Sequence, residues 1–310
     1  MAKLGYIQLT RRCNQKCIIC SNPENRNALS LDEAKKEVDA LIRDRYEGII
    51  FSGGEPTLFS DLDRIIEYCD SKKLETRIIT NGQKFSSLAY LKKMKDAGLK
   101  HIHLSAYSYK DKIQAKISGN PDSLKNIKKT LDNLSRLGGI TVDINTAINK
   151  YNAEHLSQTV EWMVRKYPFV KHFVFNNLDP HMNRAAENPQ TIPRLNDFEL
   201  ELHKALEFLD VNKKTFRVER VPLCYLTDFE YASTETRKMV KKENRVVYFL
   251  DQRGRVEQVD WNYKKAEKCK ACSLFDICAG LYGAGKFYDE KELYPIFADK
   301  KEIISKIKNV

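Results

Sequence analysis

A short apolar strand followed by an amphipathic helix recurs about six times in the first 210 residues of this 310-residue chain. Strands alternating with helices indicate an α/β fold, in which helices cover a parallel sheet. Six units are too few for a closed eightfold barrel, so we predict an open or partial barrel. In such folds the chemistry lies at the C-terminal ends of the strands. The strands are predicted at 4–10, 48–52, 76–80, 101–106, 140–148 and 170–175.

The pattern changes after residue 210. Residues 245–251 and 254–260 are predicted to form a β-hairpin, and a final helix is predicted near 299–308. Four of the eight cysteines also fall in this part of the chain. We therefore predict two domains, a barrel at 1–210 and a small cysteine-bearing appendage at 211–310.

The composition is that of a soluble globular protein, with 42% hydrophobic and 31% charged residues. No run of 18 apolar residues occurs, so neither a membrane-spanning helix nor a membrane partner is expected. The N-terminus lacks the apolar stretch and cleavage site of a signal peptide, and a cytoplasmic location is expected. Because the chain starts directly at the first strand, no separate N-terminal peptide-recognition domain is expected.

The chain is basic, with a formal net charge of +11. Residues 91–130 contribute +7 of it, since they hold ten lysines against three aspartates. These charges indicate either solvated faces of surface helices or a field that attracts an acidic peptide, a nucleotide or a redox partner. A nucleic acid is not an expected partner, because neither interleaved aromatic residues nor a known binding module occurs.

Three cysteines, Cys13, Cys17 and Cys20, lie on a loop directly after the first strand. Three thiolates within eight residues can bind three irons of a cubane cluster and leave one iron open. Such soft ligands suit iron–sulfur or zinc, but a structural zinc site requires four ligands. No fourth cysteine or histidine follows nearby, and Cys69 is predicted to lie on a buried helix face. The incomplete set therefore predicts a reactive site with an exchangeable fourth ligand.

The cysteine loop, together with Gly53-Gly54-Glu55-Pro56 at the end of the second strand, resembles the radical S-adenosylmethionine (radical SAM) superfamily. The resemblance covers roughly residues 4–210. It implies a partial (β/α)6 barrel with a [4Fe–4S] cluster, on whose open iron the amino and carboxylate groups of SAM bind. One electron then splits SAM into methionine and a 5′-deoxyadenosyl radical, which takes a hydrogen atom from the substrate. A low-potential electron donor such as flavodoxin or ferredoxin is implied as a partner.

The resemblance also implies which residues contact SAM. Gly53, Gly54 and Glu55 are expected at its ammonium group, since glycines let the backbone approach closely and carbonyl groups accept hydrogen bonds. Polar residues at other strand ends are expected near its carboxylate or ribose: Thr80 with Asn81, Ser105 and Asn145. Ile19 stands where the family usually has an aromatic residue near the adenine, so no adenine contact is assigned at that position.

The second cysteine group comprises Cys224, Cys269, Cys272 and Cys278. Four thiolates can complete a tetrahedral zinc site or a fully ligated [4Fe–4S] cluster. The spacing resembles the twitch form of the SPASM/twitch appendage, which implies an auxiliary [4Fe–4S] cluster that transfers electrons. Alternatively, Cys224 is a free thiol that donates a hydrogen atom to the substrate.

Further polar residues are predicted close to the substrate. His101 and His103 are expected on one side of the fourth strand, facing either the barrel interior or the outside. Loops at the mouth of a barrel often carry function, and three candidates follow the sixth strand there: Asp179, His181 and Arg184. Arg220 and Tyr225 flank Cys224 in the appendage and are further candidates for contact with the substrate. No general base is assigned.

The leading functional hypothesis is a radical SAM enzyme that oxidatively modifies a ribosomally made peptide through a crosslink or a thioether. The alternative substrate is a small metabolite, such as a sugar alcohol or a nucleoside, which the enzyme would dehydrogenate. A hypothesis of another class is a non-catalytic zinc or iron–sulfur protein that binds nucleic acid through its lysines.

Overall fold

The strands and helices are those of a computed structural model that describes residues 3–243, 245–258 and 263–309. In chain order the strands of the described residues are β1 (Leu4–Thr10), β2 (Gly48–Gly53), β3 (Glu75–Thr80), β4 (His101–Ser105), β5 (Thr141–Ile148), β6 (His172–Asn177), β7 (Thr215–Glu219), β8 (Arg245–Phe249), β9 (Gly254–Gln258), β10 (Tyr263–Lys264) and β11 (Leu281–Tyr282). The helices are α1 (Leu31–Arg43), α2 (Leu62–Ser71), α3 (Leu88–Asp96), α4 (Asp111–Ser118), α5 (Ser123–Leu137), α6 (Leu156–Lys166), α7 (Asn183–Glu187), α8 (Leu195–Val211), α9 (Thr234–Lys241) and α10 (Lys300–Asn309).

One nine-stranded sheet forms the centre of the molecule, in the order β7-β6-β5-β4-β3-β2-β1-β8-β9. From β1 to β7 each strand pairs in parallel with the next strand of the chain. The sheet curves around one interior cavity, which side chains from β1 through β8 all line. The predicted α/β class and partial barrel are therefore confirmed, and all six predicted strands are present.

The helices cover the outer face of the sheet because their apolar residues recur at helical spacing. In α1, Ala34, Val38 and Leu41 are buried, and a reciprocal capping box between Ser30 and Glu33 fixes where the helix begins. Cys69 of α2 is fully buried in the hydrophobic core, as predicted. This helical layer leaves the ends of the strands as the place where polar side chains can converge.

Strand pairing continues beyond residue 210 on both edges of the sheet. The unpredicted β7 pairs with β6, and the predicted hairpin is present as β8 and β9. Its first strand pairs in parallel with β1, so the hairpin extends the main sheet. The last two residues of the strand predicted at 254–260 lie outside the described residues. The domain division at residue 210 stays a prediction.

The last three cysteines of the second group, Cys269, Cys272 and Cys278, lie in a short segment closed by an antiparallel strand pair. Residues Tyr263 and Lys264 of β10 pair with Tyr282 and Leu281 of β11, which brings the two ends of the segment together. Among the described residues, no helix combines the length and the apolar character needed to cross a membrane.

Candidate functional site

Two neighbouring cavities lie inside the curved sheet. The first, the cysteine-loop cavity, has a volume of about 270 Å³ and is lined by all three cysteines of the first group. The second, the barrel cavity, has a volume of about 360 Å³ and is lined by side chains of eight strands. Ser105, Tyr107, Ile79 and Ala147 line both cavities, so the two spaces adjoin.

The loop that carries the three cysteines is held from behind by α4 and α5. The backbone N–H of Ile18 donates to the carbonyl of Ile117 at 3.0 Å. The side-chain amide of Gln15, which is buried, donates to Ser123 Oγ at 3.1 Å. Ile19 is buried in a small apolar cluster with Ile117. These contacts fix the loop at the C-terminal end of β1, where the sequence places it.

The spacing of the sulfur atoms decides which metal group the first cysteine group fits. Among the described residues, three potential ligand atoms come within 4.8 Å of one another only at His101, His103 and Asp143, and in neither cysteine group. Thiolates on a single tetrahedral zinc lie about 3.8 Å apart, because each Zn–S bond is about 2.3 Å. The three cysteines line one cavity, but their sulfur atoms are too far apart to bind a single zinc ion. This spacing fits a cubane cluster.

The thiols also require a positively charged group to ionise together. Burial, together with the neighbouring Cys20 and Cys13, raises the pKa of Cys17 to about 12. Burial likewise raises the pKa of Cys13. Three thiolates on one short loop repel one another, and the irons of a bound cluster would compensate that repulsion.

Gly53 and Gly54 are needed because the backbone of the cysteine loop passes directly against them. The N–H of Gly54 donates to the carbonyl of Thr10 at 2.6 Å, and the N–H of Glu55 donates to the carbonyl of Arg12 at 2.8 Å. A methyl group on Gly54 would collide with the carbonyl oxygens of Arg11 and Arg12. Gly53 has a φ of +135°, a conformation that favours glycine. The two glycines therefore position the cysteine loop as well as lining its cavity.

Glu55 is 1% exposed, and its carboxylate accepts four hydrogen bonds from the protein. One oxygen accepts from the backbone and hydroxyl of Thr57 at 3.1 and 2.6 Å and from Thr80 Oγ1 at 2.6 Å. The other accepts from the N–H of Asn81 at 2.7 Å. Burial nevertheless raises its pKa. Glu55 therefore ties the end of β2 to the end of β3.

The other residues expected near SAM lie in different cavities. Thr80 lines the cysteine-loop cavity, and its hydroxyl donates a hydrogen bond to the carboxylate of Glu55. Ser105 lines both cavities. Asn145 lines the barrel cavity and is absent from the lining of the cysteine-loop cavity. The structure thus gathers Thr80 and Ser105 with the three cysteines and places Asn145 beyond them.

Tyr107 is a site residue that the sequence analysis did not identify. It lines both cavities, and its hydroxyl lies close to the sulfur of Cys17. Burial and the adjacent thiolates raise its pKa well above the usual value, which keeps the hydroxyl protonated as a donor. The sequence signal that could have identified it is the two-residue period of a strand. By that period His103, Ser105 and Tyr107 lie on one side of the chain.

Charged side chains form one wall of the barrel cavity. Arg245 pairs with Glu219 at 3.0 Å. Arg220 also lines the cavity, has a φ of +59°, and donates from Nε to the carbonyl of Asn177 at 2.8 Å. Of the two residues predicted to flank Cys224 as substrate contacts, only Arg220 lines the cavity. The hydroxyl of the buried Tyr225 lies 2.7 Å from both Asn196 Oδ1 and the carbonyl of Glu292.

His101 and His103 lie on the same side of β4, as predicted, and their rings stack with centroids 4.6 Å apart. His103 lines the barrel cavity. Asp143 Oδ2 lies 2.7 Å from His101 Nε2 and 3.2 Å from His103 Nδ1. Burial alone would raise the pKa of Asp143, but the hydrogen bonds from both histidines hold it well below its usual range. One nitrogen of each ring meets the same carboxylate oxygen, so the two histidines together hold a buried carboxylate.

We expect Asp143→Asn to lower the free energy of unfolding at neutral pH by about 1.5–3 kcal/mol, because two imidazoles lose a charged acceptor. A carboxylate whose pKa is lowered by folding contributes stability above its unfolded pKa of about 3.9 and loses it as the pH falls. The difference between variant and parent should therefore shrink in acid. Urea unfolding at several pH values measures it, with the exposed Asp96→Asn as the control. Equal effects of the two substitutions would contradict this role.

The three candidates after β6 do not act together. Asp179 Oδ1 lies 3.0 Å from His181 Nδ1, and the ring of His181 packs edge-on against Tyr282 and Phe287. Arg184 instead donates from Nε to the carbonyl of Cys17 at 2.9 Å. The first two residues thus support the segment of the second cysteine group, and Arg184 supports the first.

The second cysteine group surrounds one small, largely apolar pocket, which Cys224, Cys269, Cys272 and Cys278 all line. Burial raises the pKa of Cys224 to about 12, helped by the charges of Cys278 and Cys269. The N–H of Gly280 donates to the sulfur of Cys278 at 3.3 Å. Cys224 follows β7 in the chain, so it joins this group to the C-terminal end of that edge strand. The eight cysteines, all within the described residues, form no disulfide.

Comparisons with known proteins identify a family and several relatives. A family model described as the Radical SAM superfamily matches residues 7–163. A PqqA peptide cyclase of Methylocella silvestris is 32% identical over 166 residues, which are 51% of this chain and 43% of that protein. A GTP 3',8-cyclase of Nautilia profundicola is 32% identical over 47% of this chain and 48% of its own. For an Fe-coproporphyrin III synthase of Methanosarcina barkeri the identity is 32% and the shares are 48% and 37%. The chain thus spans less than half of each of these relatives.

Solved structures share the fold over most or nearly all of the chain. Native anSMEcpe with bound AdoMet has a TM-score of 0.65 at 15% identity, covering 99% of this chain and 96% of that one. SuiB of Streptococcus suis bound to S-adenosylmethionine has a TM-score of 0.62 at 16% identity, covering 95% and 76%. SuiB bound to its precursor peptide SuiA has a TM-score of 0.54 at 20% identity, covering 70% and 49%. At these identities the likeness concerns the fold alone.

Proposed function

Because the chain belongs to the radical SAM superfamily, we propose that Cys13, Cys17 and Cys20 hold its [4Fe–4S] cluster and that the cysteine-loop cavity binds SAM. The chain is a radical SAM enzyme, and the family uses both groups. When bound, they supply the one-electron cleavage of SAM that yields methionine and a 5′-deoxyadenosyl radical. The observation that carries the assignment is that three cysteines line one cavity. The one carboxylate in the lining of this cavity, that of Glu55, is engaged in hydrogen bonds with the protein.

The chain's own residues prepare this site. Glu55, Thr80 and the backbone of Asn81 lock the ends of β2 and β3 together, so the cavity wall is fixed before SAM arrives. Tyr107 lies close to Cys17 in the wall shared with the barrel cavity. A substrate in the barrel cavity would therefore lie next to SAM, with Ser105 and Tyr107 at the junction. A buried position also shields a reactive radical from water.

We propose that Cys224, Cys269, Cys272 and Cys278 hold an auxiliary [4Fe–4S] cluster. The four cysteines line one pocket, and no three of their sulfur atoms all lie within 4.8 Å of one another. This spacing supports a cluster rather than a single zinc ion. Such a cluster would supply an electron acceptor for the oxidation of a substrate radical. The net reaction would then be an oxidation of the substrate.

The proposed substrate is a peptide, modified by a crosslink or a thioether. This is supported by the similarity to PqqA peptide cyclase and by the fold shared with SuiB, which has been solved with a precursor peptide. Dehydrogenation of a small metabolite remains the second candidate. It is favoured by equal identity to a GTP 3',8-cyclase and by a barrel cavity of only about 360 Å³. In either case a low-potential donor such as flavodoxin or ferredoxin would supply the electron.

The test is anaerobic reconstitution of the whole chain with iron and sulfide, followed by dithionite and SAM. About eight irons per chain and formation of 5′-deoxyadenosine are expected. Colourless protein that holds zinc and leaves SAM intact would overturn the proposal. Peptides encoded beside the gene, sugar alcohols and nucleosides are then compared as substrates, and the loss of hydrogen atoms from one class identifies it by mass spectrometry.

We expect Cys224→Ala to lose iron from the second group while SAM cleavage with dithionite persists. The buried sulfur lines the auxiliary pocket, far along the chain from the first group, so only the second group loses a ligand. Iron analysis and 5′-deoxyadenosine formation are the two measurements. Cys69→Ala, in the core, is the control and should keep all its iron. A Cys224→Ala protein with full iron content but no oxidised product would instead identify Cys224 as a hydrogen-atom donor.

A further inference from the structure

A third cleft, of about 370 Å³, also lies against the cysteine loop. We call it the basic cleft, because its charged lining is dominated by cations: Arg11, Arg12, Lys16, Arg26 and Arg184, against Glu24 alone. Cys13, Gln15 and Asn22 line this cleft and also the cysteine-loop cavity. The basic cleft therefore adjoins the proposed cluster site, and one of the proposed cluster ligands lies in the wall between them.

The charges of the basic cleft are only partly compensated. Arg11 pairs with Asp251 at 2.9 Å, and Arg184 pairs with Glu24. Arg12, Lys16 and Arg26 are exposed and form no salt bridge within the part of the chain that the structure describes. Because exposed charges that lack counter-charges project a field into the solvent, three adjacent cations form a positively charged patch around Cys13.

The patch continues onto α4, the helix that backs the cysteine loop. Lys112 and Lys116 are exposed on this helix. On the other side, Met182 is 52% exposed, two residues before Arg184 of the cleft lining. An exposed apolar side chain beside a ring of cations is a common composition of a transient protein interface.

We propose that the basic cleft docks a small acidic protein that delivers one electron at low potential to the iron–sulfur group at Cys13. This inference rests on the proposed function. In the docked complex the carrier is oxidised by one electron and the iron–sulfur group is reduced by one electron, with no covalent bond formed or broken. Charge complementarity gives the carrier its orientation, and Cys13 at the floor of the cleft gives the electron its shortest route.

The position of the cleft favours a redox partner over the other ligands of a basic surface. The substrate would have its own space in the barrel cavity, which shares no lining residue with the basic cleft. A nucleic acid would gain affinity from the same cations, but it would have no need of a cleft whose floor is a cluster ligand. Binding of nucleic acid is therefore included in the test as a contrary outcome.

The test compares two double variants of the reconstituted enzyme. Lys16→Glu/Arg26→Glu reverses the charge of the basic cleft. Lys92→Glu/Lys129→Glu makes the same change in charge on α3 and α5, at exposed positions outside the cleft lining. Each protein is assayed for 5′-deoxyadenosine with dithionite and with a reduced bacterial flavodoxin, and flavodoxin binding is measured by calorimetry at low and high salt.

The cleft variant is expected to bind flavodoxin more weakly and to lose roughly tenfold or more of the flavodoxin-driven rate at low salt. The loss should shrink at high salt, because the attraction is screened. Its dithionite-driven rate and that of the control variant should match the parent. Equal flavodoxin-driven rates in both variants would overturn the docking proposal, as would cleft-dependent binding of duplex DNA without any effect on flavodoxin. Failure of the parent with dithionite would instead refute the proposed function.

Discussion

Replacing Cys13, Cys17 and Cys20 together with alanine is expected to abolish SAM cleavage and to remove about half of the iron, about four of eight atoms. The three sulfurs line one cavity, and the remaining carboxylate there is occupied by four hydrogen bonds from the protein. No other side chain of the cavity can therefore replace the lost thiolates. Iron and sulfide analysis with 5′-deoxyadenosine quantification measures both effects.

The matched control for this triple variant is Cys69→Ala. Cys69 is a fully buried thiol of α2 that belongs to neither group, so its loss removes core packing and leaves the iron content unchanged. The iron that remains in the triple variant should belong to the second group and should disappear when Cys224 is also replaced. Retention of all iron by the triple variant, or continued SAM cleavage, would show that the cluster is bound elsewhere.

The regular part of the fold could be predicted from periodicity alone. Helices such as α5 bury Leu124, Ile127, Leu131 and Leu134 at helical spacing, and β2 carries a continuous apolar run. The strand β7 (TFRVE) was missed because only Phe216 and Val218 of its five residues are buried. The hairpin was identified, but its pairing with β1 was not. Such pairing joins segments more than 200 residues apart and is set by the shape of the sheet edge, which no local pattern encodes.

The candidate site shows the same limit. Local spacing identified both cysteine groups, but only the folded chain shows that Cys224 shares a pocket with the cysteines that follow it. The contacts that support the first group run between elements, as from Thr80 to Glu55 and from Gln15 to Ser123. Tyr225 was predicted to contact substrate, yet a turn directs its hydroxyl to the carbonyl of Glu292. Which way a side chain points from an irregular turn depends on tertiary packing.

The glycine pair after β2 is the point at which local sequence and tertiary packing depend on each other most closely. We expect Gly54→Ala to lower the free energy of unfolding by about 1–3 kcal/mol, because the added methyl group collides with backbone. The oxygens it meets belong to Arg11 and Arg12, the two residues that lead into Cys13. The chain cannot yield there without moving Cys13 and breaking the hydrogen bonds from Gly54 and Glu55 to the loop.

Gly54→Ala should therefore lose iron from the first group and SAM cleavage together, although no cysteine is changed. Urea unfolding, iron analysis and 5′-deoxyadenosine formation measure the three effects on one protein preparation. Gly254→Ala is the control, because the nearest atom to its new methyl group, the carbonyl oxygen of Gln252, lies at an ordinary contact distance of 3.6 Å. If Gly54→Ala unfolded like the parent but failed to cleave SAM, the glycine would act through SAM itself. If it cleaved SAM normally, the close approach of the cysteine loop would not be required for its geometry.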